Sequence, residues 1–162
     1  MKTIEINIYE FDELGQQAKS KALTDYVYFN FQDDWWRNVY EDAERVFLKL
    51  TGFDIDRGAY CNGEWMVDAD KSAYAIMDEH GDKTATYLLA KEYLQKSSPT
   101  AEIQDCFLKR LLRQYHQMLV HEYDYLSSDE AIINAFNGNE QLFTADGQLA
   151  NRLEKLANDL QN

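Results

Sequence analysis

Alternating polar and apolar residues mark the first part of the chain. Between Thr3 and Glu10 the alternate positions 4, 6 and 8 are Ile4, Ile6 and Ile8, which is the pattern of a half-buried β-strand. A helix is predicted to follow from Phe11, because Asp12 can cap free backbone amides and apolar residues then recur at intervals of four. These apolar residues are Leu14, Ala18, Ala22 and Tyr26.

The clearest helical pattern runs from Trp36 to Leu50. Its apolar residues fall on one helix face, and Gly52 is placed to end the helix. The stretch FDIDRGAYCNGEW follows, from Phe53 to Trp65. It predicts a β-hairpin, because strand-like residues flank a loop and the pair Asn62-Gly63 accommodates positive φ.

The remaining pattern is mostly helical. Helices are predicted at 68–80, 82–96, 98–126, 127–138 and 149–160, with a strand and turn at 141–149. The third of these helices is about 40 Å long at ~1.5 Å per residue. Its apolar stripe includes Cys106, which is therefore predicted to be a core residue. Ser127 and Glu130 have the spacing of a capping box at the start of the next helix.

These elements predict a mostly helical α+β fold in a single globular domain, 1–162. Its small antiparallel sheet combines the N-terminal strand, the central hairpin and the C-terminal strand. The chain is 162 residues long and 45% hydrophobic, which is enough for one core, and its single proline leaves little room for a linker. The two cysteines are expected to be reduced thiols.

Net charge narrows the classes of partner. The formal charge is -13, from 16 basic and 29 acidic residues. Direct binding to nucleic acid or to an anionic membrane surface is therefore disfavoured, because both need cationic groups. No stretch approaches the ~18 apolar residues of a membrane span or the apolar core of a secretion signal. The expected location is the cytoplasm.

Sequence motifs favour binding over catalysis. HEYDY at His121 has Tyr125 where a zinc protease needs its second histidine, and the common nucleotide and acyl-transfer motifs are missing. A calcium loop beginning at Asp54 fails because Ala59 stands where glycine is needed. We therefore predict no enzyme activity, catalytic residue, metal or cofactor. A magnesium site at Asp54 and Asp56 stays an alternative, and a metal-dependent hydrolase would also need Glu64 and further ligands.

Two charged patches are candidate partner-binding sites. One is the acidic stretch DDWWRNVYEDAE, in which an aromatic side chain lies off the core stripe beside carboxylates that can stand in for phosphates. Its candidate residues are Asp33, Asp34, Trp35, Glu41, Asp42 and Glu44. The other is a cationic patch on the long helix, formed by Lys109, Arg110 and Arg113.

The chain also resembles a known family. The segments TIEINIYEFDEL, TGFDIDRGAYCNGEW, EYDYLSSDEAI and FTADG, in this order, are similar to those of small acidic proteins of bacteriophages and mobile elements. These proteins are often described as an antitoxin of a toxin-antitoxin stability system. The resemblance covers nearly the whole chain and implies action through binding a host or partner protein. It carries over no catalytic residues.

Three hypotheses of function follow. The first is a phage or mobile-element protein, monomeric or dimeric, that inhibits a host nucleic-acid-handling defence protein by binding its cationic surface as a nucleic-acid mimic. The second is an antitoxin that neutralises a cognate toxin, although the chain lacks the disordered tail and basic module of many antitoxins. The third is a metal-dependent hydrolase.

Overall fold

A computed structural model describes residues 6–150 of the chain. Within them the fold is α+β and mostly helical, which confirms the predicted class. The helices are α1 (Gln16–Asp25), α2 (Arg37–Arg45), α3 (Ala69–Glu79), α4 (Ala85–Leu94), α5 (Ala101–Leu126) and α6 (Asp129–Gly138). The strands are β1 (Tyr9–Glu10), β2 (Leu48–Asp54), β3 (Tyr60–Trp65) and β4 (Leu142–Phe143). The terminal helix predicted at 149–160 lies almost wholly outside the described residues, as does Ile4.

The described chain forms two compact units. Unit 1 takes residues 6–33 and 124–150, and unit 2 is the continuous stretch 34–123. Each unit has its own cluster of buried apolar side chains. The strands form two separate pairs, one in each unit, rather than one sheet. The single-domain interpretation stays a prediction.

Unit 1 is built around an aromatic core. Strand β1 pairs antiparallel with β4, with Tyr9 opposite Phe143, and Phe143 packs against Phe11 and Phe136. The predicted half-buried strand is wrong over residues 6–8, because Ile6 and Ile8 are 41% and 49% exposed. Within residues 6–150, no strand pairs with residues 6–8.

The helix caps in unit 1 lie one to three residues after the predicted caps. Asp12 does not cap α1, because Phe11–Glu13 forms a separate 3-10 turn, and Gly15 is the N-cap instead. The turn has its own capping box between Glu10 and Glu13. Helix α6 is capped by the Ser128 hydroxyl, which accepts the Ala131 amide, so the cap predicted at Ser127 is one residue early.

In unit 2 the predicted helix through Leu50 ends early. Helix α2 stops at Arg45, and Phe47 has a left-handed backbone with φ 61°. From Leu48 the buried and exposed positions alternate, so this segment is strand β2. Over so few residues the apolar positions fit the helical period of 3.6 and the strand period of 2. Gly52 lies within strand β2 rather than at the end of a helix.

The central hairpin is confirmed, but its turn lies elsewhere. Strands β2 and β3 pair antiparallel, with Asp54 opposite Tyr60, and Gly58 supplies the positive φ of 62°. The turn predicted at Asn62-Gly63 is wrong, because both residues belong to β3. A side chain at Gly63 would collide with the Lys49 carbonyl oxygen and with Leu112 of α5, so glycine permits close packing there.

Three further helices complete unit 2. Asp68 caps α3 and Thr84 caps α4 through their side chains, and α5 buries Phe107 and Leu111. Cys106 is exposed, which corrects its prediction as a core residue: it lies beside the buried stripe rather than on it. Both cysteines are free thiols. Across residues 6–150, no helix combines the length and the apolar character needed to cross a bilayer.

The three tryptophans provide a test of the single-domain prediction. All of them, Trp35, Trp36 and Trp65, belong to unit 2. If the chain unfolds as one domain, tryptophan fluorescence and far-ultraviolet circular dichroism will give the same urea midpoint. A dichroism transition that separates into two steps, with fluorescence following only one, would show that the units unfold independently.

Candidate partner-binding surface and the Asp42 network

The Asp42 carboxylate of α2 is the centre of a hydrogen-bond network in unit 2. Its Oδ2 accepts from the Tyr115 hydroxyl at 2.7 Å and from His80 Nε2 at 3.0 Å. His80 Nδ1 lies 2.6 Å from the Thr86 hydroxyl, and Arg45 approaches Oδ1 at 3.4 Å. The network therefore joins α2 and the end of α3 to α4 and α5.

This environment favours the charged form of Asp42. Burial raises the pKa of the carboxyl, but the hydrogen bonds from His80 and Tyr115 and the charges of His80 and Arg45 lower it by more, so the net shift is downward. Burial and the same carboxylate raise the pKa of Tyr115. Asp42 thus faces inward and contributes to stability. We leave it out of the partner-binding surface for which its sequence position made it a candidate.

The order of groups in this network resembles a hydrolytic triad. A hydroxyl, an imidazole and a carboxylate, from Thr86, His80 and Asp42, are hydrogen-bonded in sequence, as they are around a serine nucleophile. A nucleophile must reach its substrate, however. Thr86 is only 2% exposed and the His80 side chain 7%. The hydrogen bonds therefore join the helices, and the three residues also line a cleft of about 400 Å³.

The other acidic candidates differ in their availability. Asp33 is exposed, but Asp34 forms an ion pair with Arg37 at 2.6 Å. Trp35 is half-buried and packs edge to face against Phe53 and Tyr123, with ring centroids 5.7 and 5.9 Å apart. Trp35 therefore packs within unit 2, and its role in partner binding stays a prediction.

Tertiary structure adds carboxylates that the sequence prediction missed. The bond between Asp42 and His80 links α2 to the end of α3, and exposed acidic residues flank both ends of this link in the sequence. We call this group the acidic edge: Glu41, Glu44, Asp78, Glu79 and Asp82. Within residues 6–150 none of the five forms an ion pair. The acidic edge is therefore a site of uncompensated negative charge.

A sequence signal for part of the acidic edge was present. Asp78 and Glu79 lie in the last turn of α3, which has no basic residue. The negative end of the helix dipole makes carboxylates there unfavourable, by ~0.3–1 kcal/mol each. Acidic residues placed where they oppose folding are candidates for a binding role.

The basic patch on α5 is divided by its ion pairs. Lys109 Nζ lies 2.9 Å from Asp105, which raises the pKa of the lysine, and Arg110 pairs with Glu92 at 3.4 Å. Arg113 has no ion-pair partner within the described part of the chain. Lys109 and Arg113 border a cleft between α5 and the hairpin, whereas Arg110 borders a smaller hollow between α4 and α5.

The candidate magnesium ligands take part in the hairpin turn. Asp54 Oδ1 accepts the backbone amides of Asp56 and Arg57 at 2.8 and 3.0 Å, and these bonds lower the pKa of Asp54. Over residues 6–150, no group of three or more histidine, cysteine or acidic side chains is arranged to hold a metal ion. Burial raises the pKa of the Cys61 thiol to about 11, so it is a neutral group at pH 7.

No family model, curated protein or solved structure matches this chain.

Proposed function

We propose that this chain is an acidic binding protein of a bacteriophage or mobile element, which inhibits a nucleic-acid-handling protein of its bacterial host by occupying a cationic surface. The observation that carries the proposal is the acidic edge. Its five exposed carboxylates belong to two helices and a loop, and the Asp42–His80 hydrogen bond holds these segments together.

Electrostatics support this mode of action. A net charge of -13 repels nucleic acid but attracts the proteins that bind it, since both compete for the same basic groove. Glu41 and Glu44 are three residues apart on α2 and therefore share a face. Their carboxylates can take the positions that phosphates occupy when nucleic acid binds in such a groove. Opposite charges on the two partners would mainly accelerate association.

An antitoxin is the second candidate, and it rests on the sequence resemblance. It uses the same type of binding but a different partner. Affinity purification of the tagged full-length protein from its bacterial host, followed by mass spectrometry, separates the two candidates. A nucleic-acid-handling host protein supports the first. A small toxin encoded beside this protein supports the second.

A charge-reversal experiment tests the surface once a partner is known. We expect the variant with Glu41, Glu44 and Glu79 all changed to lysine to associate at least about tenfold more slowly at low salt, because steering by opposite charge is lost. Stopped-flow or surface plasmon resonance at two salt concentrations would measure this. For the wild-type protein the association rate should fall as salt rises.

The matched control reverses three exposed carboxylates elsewhere in unit 2: Asp56, Glu64 and Glu102. It changes the net charge by the same amount, so a purely global charge effect would slow both variants equally. Slower association of the acidic-edge variant alone supports the proposal. Equal rates for that variant and the wild-type protein at low salt would refute it.

A further inference from the structure

A cleft in unit 2 lies between one face of α5 and the β2–β3 hairpin. Its volume is about 650 Å³, within the ~300–1,000 Å³ typical of small-molecule sites. Lys109, Arg113 and His116 line the helix wall, while Tyr60 and Asn62 line the hairpin wall. Lys109 and Arg113 are one helical turn apart, so their charges act on the same part of the cleft.

Lys109 and Arg113 on the helix wall can still bind an anion. Arg113 has no ion-pair partner within residues 6–150, so its planar fork of donors is available. Lys109 forms its ion pair with Asp105, but an ammonium group has three hydrogens and keeps two for a ligand. Asp105 also lines the cleft and opposes an anion, although Lys109 offsets its charge.

His116 fixes the helix wall relative to the hairpin. Its Nε2 donates to the Asp54 backbone carbonyl at 2.9 Å, which ties the start of the hairpin turn to α5. At the other side, Gly63 packs against Leu112 so closely that a methyl group does not fit. The two walls are therefore held at two points, and the cleft between them is preformed.

The hairpin wall provides different chemistry. The Tyr60 side chain is a large aromatic group that is 45% exposed, and its ring can stack on a planar ligand. Asn62 supplies an exposed amide on this wall and Gln117 another on the helix wall, and both amides donate and accept hydrogen bonds. Leu108 and Leu112 of α5 supply apolar lining. Cations on the helix wall, an exposed aromatic ring on the hairpin wall and amides on both walls match a molecule with an anionic end and a planar polar end.

The charge of the whole protein restricts the size of this ligand. A long polyanion would extend over a surface that carries a net charge of -13 and would be repelled. A small anion inside the cleft interacts mainly with charges within the Debye length of ~8 Å, where Lys109 and Arg113 dominate. We propose that the cleft binds a nucleoside monophosphate, with the phosphate at Lys109 and Arg113 and the base stacked on Tyr60.

Isothermal titration calorimetry of the full-length protein with the four common ribonucleoside monophosphates tests this assignment. We expect at least one of them to bind with a dissociation constant below about 1 mM, a free energy of about -4 kcal/mol. Inorganic phosphate and the matching nucleoside are titrated separately, and each should bind at least about tenfold more weakly. Equal binding of inorganic phosphate would overturn the nucleotide assignment, as would the failure of all four nucleotides.

Two variants and one control locate the site. Arg113→Gln removes a charge-assisted contact and should weaken binding at least about tenfold, and Tyr60→Leu should weaken it about tenfold through lost stacking. Arg110→Gln removes the neighbouring cation outside the cleft and should change the affinity less than about twofold. Circular dichroism checks that each variant is folded. Wild-type affinity in Arg113→Gln would overturn the proposed site.

Discussion

Replacing Asp42 with alanine is expected to lower the free energy of unfolding by about 3 kcal/mol. The change removes the acceptor of the Tyr115 hydroxyl and of His80 Nε2, both of which are buried side chains. Hydrogen bonds to a charged acceptor contribute about 1.5–3 kcal/mol each. Because the Asp42 side chain is 28% exposed, water can replace part of the lost hydrogen bonding in the variant. The expected loss of unfolding free energy is therefore lower than the sum of the two hydrogen-bond contributions.

Urea unfolding at pH 7 measures this effect, and Glu41→Ala is its control. Glu41 is adjacent in sequence but exposed and without an ion pair in the described part of the chain, so its removal should change stability by less than about 0.5 kcal/mol. Equal stability of Asp42→Ala and the wild-type protein would contradict the structural role of the network. It would also weaken the argument that Asp42 holds the acidic edge together.

The same variant has a defined pH dependence. The pKa of Asp42 is lowered in the folded protein from its ordinary value of 3.8, so its contribution to stability is fully present above that value. The contribution is lost as pH falls through the lower pKa of the folded state. The stability difference between the wild-type protein and Asp42→Ala should therefore be constant from pH 7 to about 5 and narrow in strong acid.

Gly147→Ala is expected to destabilise unit 1 by about 3 kcal/mol or more, through two causes that act together. Gly147 has a φ of 89°, which an L side chain rarely adopts. A Cβ atom there would also collide with the carbonyl group of Ala18 in α1. Because the carbonyl group belongs to the backbone, the collision can be removed only by a shift of α1 or of the turn after β4.

Gly58→Ala separates these two causes. Gly58 also has a positive φ, 62°, but no atom of the described residues lies within 4 Å of the place that an alanine methyl group would take. Only the backbone cost applies, which is about 1 kcal/mol. Thermal unfolding of both variants should therefore give a clearly larger loss for Gly147→Ala. Equal losses of stability would mean that the turn after β4 shifts at little energetic cost and that its contact with α1 contributes little to stability.

Much of the helical structure could be predicted because local signals agreed with packing. Helix α3 begins within one residue of its predicted start, and the apolar spacing of α5 gave its extent within three residues at the start. The error at Leu48 arose where apolar residues satisfied helix and strand periods together, and pairing with β3 decided the outcome. Gly63 was misplaced because its packing partner, Leu112, is distant in sequence.

The candidate surfaces were harder to predict because they depend on tertiary contacts. Asp42 and Glu41 are alike as sequence positions, and only the bonds from His80 and Tyr115 distinguish an inward carboxylate from a surface one. Likewise, Arg110 and Arg113 were equivalent candidates when judged by charge alone. The structure distinguishes them, because Arg110 forms an ion pair with Glu92. Local sequence patterns predict which face of a helix or strand a residue occupies, but not which residues of other elements contact that face.

The division of the chain into units affects the order in which it can fold during synthesis. Unit 2 is one uninterrupted stretch, so its core can form while the ribosome is still adding the residues of α6 and β4. Strand β1 leaves the ribosome before unit 2, yet its partner β4 is made after unit 2. Phe11 and Leu14 therefore lack their packing partners at first, and the nascent chain exposes an apolar segment that chaperones can bind until α6 and β4 have been made.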